Sequence, residues 1–349
     1  LKGKKSLGDF MAGLPGLALT LILSFGLVVA LILVLSKTPG KTIYYFFIGP
    51  FTNTYYLGNM LNVAVPLVFT GLGMAVAFKS SVFNLGGEGQ TYVGGLAATI
   101  VCLALPSANG IFGGILAIIA AMALGGAIAG LSGFFKMEWN VDEMISSFLL
   151  SSAVVLIVDY FITGPLDDPN NNMLASLPLA RQYSLLKLFP PSKLNLSALF
   201  AIAAVLLTYL FMNRSHIGYE MRMCGQNREF ARYGGINVSR YLVLPMILSG
   251  ALHGIGGGLM VLGTYQVLYE GFSFGMGWNG IAVALIAKSN PLGVLPAALL
   301  FAYLDAGAKS AMLNGDVTFE IASIAQSFIF FFITAGSLYG LTHKRRRVA

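Results

Sequence analysis

Long, almost uncharged apolar runs recur along this sequence, each close to the roughly 20 residues that a helix needs to cross a bilayer core. The first runs from about Leu14 to Ser36, and others follow near 57–78, 85–106, 110–134, 144–164, 194–212, 241–263, 274–289, 291–309 and 318–341. Lipid offers no partner for a backbone N–H or C=O, so such segments have to close their hydrogen bonds within helices. The expected fold is therefore an all-α polytopic membrane protein with about ten transmembrane helices. Charged residues supply only 10% of the chain, against about 25% in a soluble domain.

The first run is too long for a signal peptide and shows no small-residue cleavage site; it reads as a peripheral first helix over 14–36. The remainder divides into a first half over 57–164, an outer loop at 165–193 and a second half over 194–341 with an inner loop at 213–240, all within one membrane domain. An even number of crossings puts both termini on one side. Lys2, Lys4, Lys5, Lys79, Lys136, Arg214, Arg222, Arg228, Arg232, Arg240, Lys288 and Lys344 to Arg347 then share that side, against Lys37, Lys41, Arg181, Lys187, Lys193 and Lys309 on the other. That bias places the termini in the cytoplasm. It also accounts for the net charge of +7 without invoking nucleic acid.

Within this apolar background the stretch Phe83-Asn84-Leu85-Gly86-Gly87-Glu88-Gly89-Gln90 stands out. Its glycines bare the backbone, and Asn84, Glu88 and Gln90 carry heads that hydrocarbon cannot satisfy. Gly275-Met276-Gly277-Trp278-Asn279-Gly280 has the same character in the second half, and the two suggest paired repeats with interrupted helices that meet near the membrane centre. Glu88 either faces a solute or stabilises a helix start through the helix dipole. Trp278 either stacks on a flat ring or marks an interface. His253, among small residues, reads as a packing residue rather than a proton carrier, while Asp159, Asp305 and Lys309 lie near segment ends. Cys102 and Cys224 have no metal-ligand or disulfide spacing.

The outer loop is rich in turn residues, as in Gly164-Pro165-Leu166-Asp167-Asp168-Pro169-Asn170-Asn171-Asn172, and offers a surface to an external partner. In the inner loop, Asn227 is placed to cap a short helix that ends at Tyr233 and Gly234. Phe230, Tyr233 and Ile236 are apolar anchors ringed by Arg228 and Arg232, a pattern that suits docking into a groove. The plainer alternative is a positive-inside loop with an incidental turn.

Three pieces, in this order and spacing, resemble the membrane permease subunits of ABC importers of the branched-chain amino acid/ribose type, in the nucleoside (simple-sugar-like) branch. They are Phe83 to Gln90; Gly225 to Arg240 continuing to Ser249-Gly250-Ala251-Leu252; and Gly277 to Leu285 with Asn290-Pro291-Leu292-Gly293. The likeness covers about residues 57 to 341. It implies a bacterial cytoplasmic (inner) membrane protein that is not itself an enzyme and has no catalytic residue, metal or cofactor of its own. ATP and Mg would be bound by a partner ATPase, in keeping with the lack of a Walker motif here. The other implied partners are a second permease subunit (a copy or a homologous chain), a substrate-binding lipoprotein and membrane lipid, with no nucleic acid.

The Glu-Gly-Gln form of the first motif resembles nucleoside permeases. A simple sugar such as ribose, or an ion- or proton-coupled secondary carrier, is the alternative. On the nucleoside reading, Asn84, Glu88, Gln90, Trp278 and Asn279 line the substrate pathway, and Asn227, Arg228, Phe230, Arg232, Tyr233, Gly234 and Ile236 couple to the ATPase. In one place the chain departs from its relatives: Ser151-Ser152 stands where they usually show Asn-Tyr.

Overall fold

A computed structural model describes residues 14–170, 172–321, 323–329 and 331–332. Lys2, Lys4, Lys5, Asn171, the later part of the expected last segment and the basic run Lys344 to Arg347 lie outside the described residues. The named elements are all helical: α1 (Leu14–Leu35), α2 (Pro39–Phe47), a 3-10 turn (Gly49–Phe51), α3 (Thr54–Lys79), α4 (Gly87–Ala104), α5 (Gly110–Trp139), α6 (Glu143–Thr163), a second 3-10 turn (Arg181–Tyr183), α7 (Ser197–Arg214), α8 (His216–Gln226), α9 (Arg228–Tyr233), α10 (Arg240–Leu259) running into a π turn (Met260–Tyr265), α11 (Met276–Ile286) and α12 (Pro291–Asn314).

Among the described residues, six helical stretches are long and apolar enough to cross a membrane: α3, α5, α6, α7, α10 with its π turn, and α12. The expected segment 85–106 is the helix α4, whose first turns, Gly87-Glu88-Gly89-Gln90-Thr91, make it less apolar than those six. The expected segment 274–289 shortens to the 11 residues of α11, and the expected first segment is the 22-residue helix α1. Of the four expected segments beyond these six, two are the polar-starting α4 and the short α11, while the first, fully described only from residue 22, and the last lie only partly among the described residues.

Two compact units divide the chain, residues 1–60 with 301–349 and residues 61–300. In the first, the Phe51 and Tyr303 rings stack at 5.7 Å and the Tyr303 hydroxyl donates to the Phe47 carbonyl at 3.0 Å. Lys309 donates to Asp305 at 2.8 Å one helical turn away, so two of the segment-end charges satisfy each other.

The second unit is organised around α4, α5 and α10. Gly125 and Gly133 of α5 and Gly250 and Gly254 of α10 lie so close that a Cβ on any of them would press on backbone of the other helix. Small residues of this kind let membrane helices approach and gain van der Waals contact where no hydrophobic drive exists between them. Gly94 and Thr91 of α4 abut Gly254 and Gly257 of α10 in the same way. Side-chain caps fix the helix starts: Asn109 Oδ1 accepts from Ile111 N–H at 2.9 Å and Asp142 Oδ1 from Met144 N–H at 2.8 Å. Across the α5–α6 turn, Lys136 and Glu143 pair at 3.3 Å. This packing holds α4 in a fixed place against its neighbours, which sets the stage for the unwound segments on either side of it.

Candidate functional site

The first turns of two helices meet at one point. After α3 the chain turns at Ser80 and Ser81 and stays unwound to Gly86, where α4 starts. After the π turn, Gln266 adopts a left-handed conformation with φ 60°, and the following residues run back along α4. Leu268 and Phe272 lie against Gly95, the Phe272 ring centroid is 5.0 Å from that of Tyr92, and Ser273 reaches Glu88. Gly275, with φ 71°, then turns the chain into α11. Gly277 rests on the backbone of Gly87 and Glu88, a contact that leaves no room for a side chain.

Glu88 pins this junction. It accepts a hydrogen bond from the Ser273 hydroxyl on one oxygen and from Gly277 N–H, at 2.9 Å, on the other. A residue in the first turn of α4 thereby caps the first turn of α11, and the positive ends of two helix dipoles converge on one carboxylate. Glu88 is 9% exposed and caps a helix start, as one of the two alternatives expected, but that of α11 rather than of its own helix.

Asn84 and Gln90 close the unwound turn on itself. The Asn84 amide nitrogen donates to Gln90 Oε1 and the Gln90 amide nitrogen to Asn84 Oδ1, both at 2.8 Å. Asn84 also donates to Ser249 Oγ at 2.9 Å and accepts from Gly86 N–H at 2.9 Å. Two serines of α6 take orphan amides of the same turn, Ser147 Oγ from Leu85 N–H at 2.9 Å and Ser151 Oγ from Gly89 N–H at 2.8 Å. Ser151, half of the pair that departs from the relatives' pattern, therefore lies at the junction, whereas Ser152 bonds back to the Phe148 carbonyl at 3.0 Å. Unwound backbone deep in a membrane protein is tolerated where such partners exist.

Trp278 and Asn279 complete the five expected path residues at this place. Trp278 is 36% exposed and its ring centroid lies 5.7 Å from that of Phe148. Asn279 gives its N–H to the Gly275 carbonyl at 3.0 Å, and its side-chain amide has no protein partner among the described residues. His253 is fully buried between Gly73 and Gly87, with Nδ1 2.8 Å from the Ser249 carbonyl and Nε2 without a partner among the described residues. Sequence reasoning missed Ser147, Ser249, Ser273 and Phe148; serine and phenylalanine are too common in membrane helices to stand out singly.

A second feature lies on the Lys79 side of the same unit. Asn227 Oδ1 accepts from Phe230 N–H at 3.0 Å and caps α9 as expected, and Gly234 ends it. Phe230 is 61% and Tyr233 90% exposed, while Arg232 pairs with Glu229 at 3.4 Å. Two of the expected docking residues behave differently. Ile236 turns inward, with Ala231, onto the cluster of Val76, Met212, Met221, Cys224, Val238 and Tyr241, because the Ile236 N–H bonds back to the Ala231 carbonyl at 3.0 Å and folds it under the helix. Arg228 donates from Nη2 to the Ser81 carbonyl at 3.1 Å and so faces its own chain.

Residues 56–334 match the protein family described as branched-chain amino acid transport system, permease component. Among curated proteins, the chain is 32% identical to one named a probable riboflavin import permease protein of Treponema pallidum, over 91% of this chain and 84% of the relative. It is 30% identical to a guanosine ABC transporter permease protein of Bacillus subtilis, over 82% and 83%, and 28% identical to a glucose ABC transporter permease protein of Haloferax volcanii, over 86% and 81%. The chain belongs to the branched-chain amino acid transport system permease family, whose members include permeases of ABC transporters.

Proposed function

We propose that this chain forms the translocation path of an ATP-driven importer for nucleosides, delivered by an external binding lipoprotein and driven by a separate ATPase subunit. The observation that carries the reading is the junction where the starts of α4 and α11 meet at Glu88: two interrupted helices held end to end by a few hydrogen bonds are an arrangement that can part and re-form around a solute. Asn84, Glu88 and Gln90 form the wall at that point. Trp278 and Asn279 stand beside them, a partly exposed indole and an amide side chain without a protein partner among the described residues, a pair suited to a nucleobase, which stacks on aromatics and bonds through its edge.

On this reading both termini and α9 lie in the cytoplasm, the membrane is a bacterial inner membrane, and Phe230 and Tyr233 seat in a groove of the ATPase. ATP and Mg belong to that partner, and a second permease subunit completes the path. The guanosine relative supports the nucleoside assignment; the glucose relative keeps a simple sugar as the second reading.

The test is uptake by the reconstituted importer of labelled guanosine, uridine, riboflavin, ribose and glucose, with and without ATP. ATP-dependent uptake of the nucleosides is expected. Uptake of ribose or glucose alone overturns the substrate, and uptake driven by an imposed proton or sodium gradient without the ATPase overturns the importer itself.

A further inference from the structure

α9 divides its residues between two tasks. Phe230 and Tyr233 project outward, whereas Arg228, at its first position, reaches back across the chain to the Ser81 carbonyl. Ser81 is the residue at which α3 turns into the unwound segment, and it holds a left-handed conformation with φ 51°, uncommon for any residue other than glycine, asparagine or aspartate. All three of its polar groups are used to keep it there. Its N–H donates to the Phe78 carbonyl at 3.1 Å, its hydroxyl to the Gly225 carbonyl at 2.6 Å, and its carbonyl accepts from Arg228.

Gly225, in the last turn of α8, sits with its α-carbon against the Lys79 and Ser80 backbone, where a Cβ would come within 2.9 Å of Ser80. The α8–α9 hinge is thus bolted to the Ser81 turn by two hydrogen bonds and a backbone contact. From there the chain is short. Asn84, three residues on, is bonded to Gln90 and Ser249, and Glu88, four further, caps α11.

We propose that Arg228 is a positioning residue that transmits movement of α9 to the α4–α11 junction through the Ser81 carbonyl, rather than a contact that orients the ATPase by charge. The inference rests on the reading of α9 as the ATPase-docking helix. When α9 is displaced, the Arg228–Ser81 bond draws the unwound segment with it, and the hydrogen bonds of Asn84 and Glu88 are the next links to yield. A chain of packed and hydrogen-bonded groups of this kind is a physical route for coupling only if breaking one link uncouples the two ends.

The experiment uses the full importer complex, purified through a tag on this chain and reconstituted, comparing wild type with Arg228→Met and Arg228→Lys. Three quantities are read: ATPase co-purified per permease, ATP hydrolysed, and solute taken up. Arg228→Met is expected to retain the ATPase and its hydrolysis while uptake per ATP falls about tenfold, the scale of one lost hydrogen bond from a charged donor. Arg228→Lys, which can still reach a single carbonyl, recovers part of that ratio. Ser81→Ala, which removes only the hydroxyl link to Gly225, lowers it by less.

Loss of the ATPase from the Arg228→Met complex overturns the proposal, and so does an unchanged ratio of uptake to hydrolysis. The underlying reading fails separately: if Phe230→Asp with Tyr233→Asp leaves the ATPase bound, α9 is not the docking helix whatever Arg228 does.

Discussion

Glu88 accepts from two groups that belong to another helix start, and substitutions separate their contributions. Glu88→Gln keeps one acceptor oxygen for the Gly277 N–H but makes the other a donor, so the Ser273 hydroxyl must turn to accept and both bonds lose the charged carboxylate; Glu88→Ala loses both bonds. A hydrogen bond to a charged acceptor contributes about 1.5–3 kcal/mol, and uptake should fall about tenfold for the glutamine variant and further for alanine, with the ATPase still co-purifying. Wild-type uptake by Glu88→Gln would show that the pin carries no weight. The neighbouring Gly87 makes a second prediction. A Cβ there would lie 2.6 Å from His253 Nε2 and 2.9 Å from the Gly277 carbonyl, and the imidazole, fully buried against Gly73 on its other side, has nowhere to retreat. Gly87→Ala should destabilise the purified protein by about 1–3 kcal/mol, the usual cost of overpacking, read as a lower thermal midpoint. His253→Ala in the same chain should return part of the loss; strictly additive effects would show that the ring is not what the methyl meets. The sequence marks Glu88, Asn84 and Gln90 because polar heads in oil are conspicuous, but it cannot say which groups satisfy them. That depends on Ser249 and Ser273, which lie far along the chain and carry no signal of their own.

At the scale of elements, most helix boundaries are legible because an apolar run ends where a capping or left-handed residue stands, as at Asn109, Asp142 and Asn140, the last with φ 52°. The exceptions are the helices whose ends are made by distant partners. α4 begins only at Gly87 because Leu85 and Gly86 spend their amides on Ser147 and Asn84, and α10 loosens into a π turn whose Gly263 carbonyl and Thr264 hydroxyl bond Asn195 and Asn62 at 3.0 Å each. Another connection of this kind was not foreseen. Asp316, beyond the end of α12, gathers the loop between α1 and α2: its carboxylate accepts from the Ser36 hydroxyl, Lys37 N–H, and the Thr38 and Thr42 hydroxyls. Those bonds, led by Ser36, hold its pKa down to about 2, against about 3.9 in an unfolded chain. A lowered folded pKa means that the clasp contributes fully above about pH 4 and is lost as pH falls through about 2. Lys37 lies in this loop and Lys41 in the first turn of α2, so trypsin reads the clasp at neutral pH. Wild type should resist cleavage there while Asp316→Asn is cut, and pepsin should begin to open the wild-type loop only on descending from pH 4 toward 2. Equal trypsin cleavage of both proteins would show that the carboxylate does not hold the loop.

For the molecule as a whole, the proposed function requires that a partner's work at α9 reach the junction at Glu88, and on that reading the exposed face of α9 is where the work enters. Phe230 and Tyr233 leave most of their surface uncovered, on a helix of only 6 residues that isolated propensity would not keep folded. It stays helical because Asn227 caps it and Ala231 is buried in the cluster beneath. Substitutions on the outward face should therefore leave the fold intact. Phe230→Asp and Tyr233→Asp each place a carboxylate where an apolar anchor would be desolvated in a groove, and interface anchors of this kind commonly cost about 2 kcal/mol or more when removed. Each variant should lower ATPase co-purification about thirtyfold or more while the permease keeps its thermal midpoint. Glu88→Ala should show the opposite pattern, an ATPase held normally beside a path that no longer carries solute. The two classes of variant address opposite ends of the same unwound segment, so an equal loss of assembly from both would mean that docking and path are not separable in this chain, and the division of labour argued from α9 and the junction would fall.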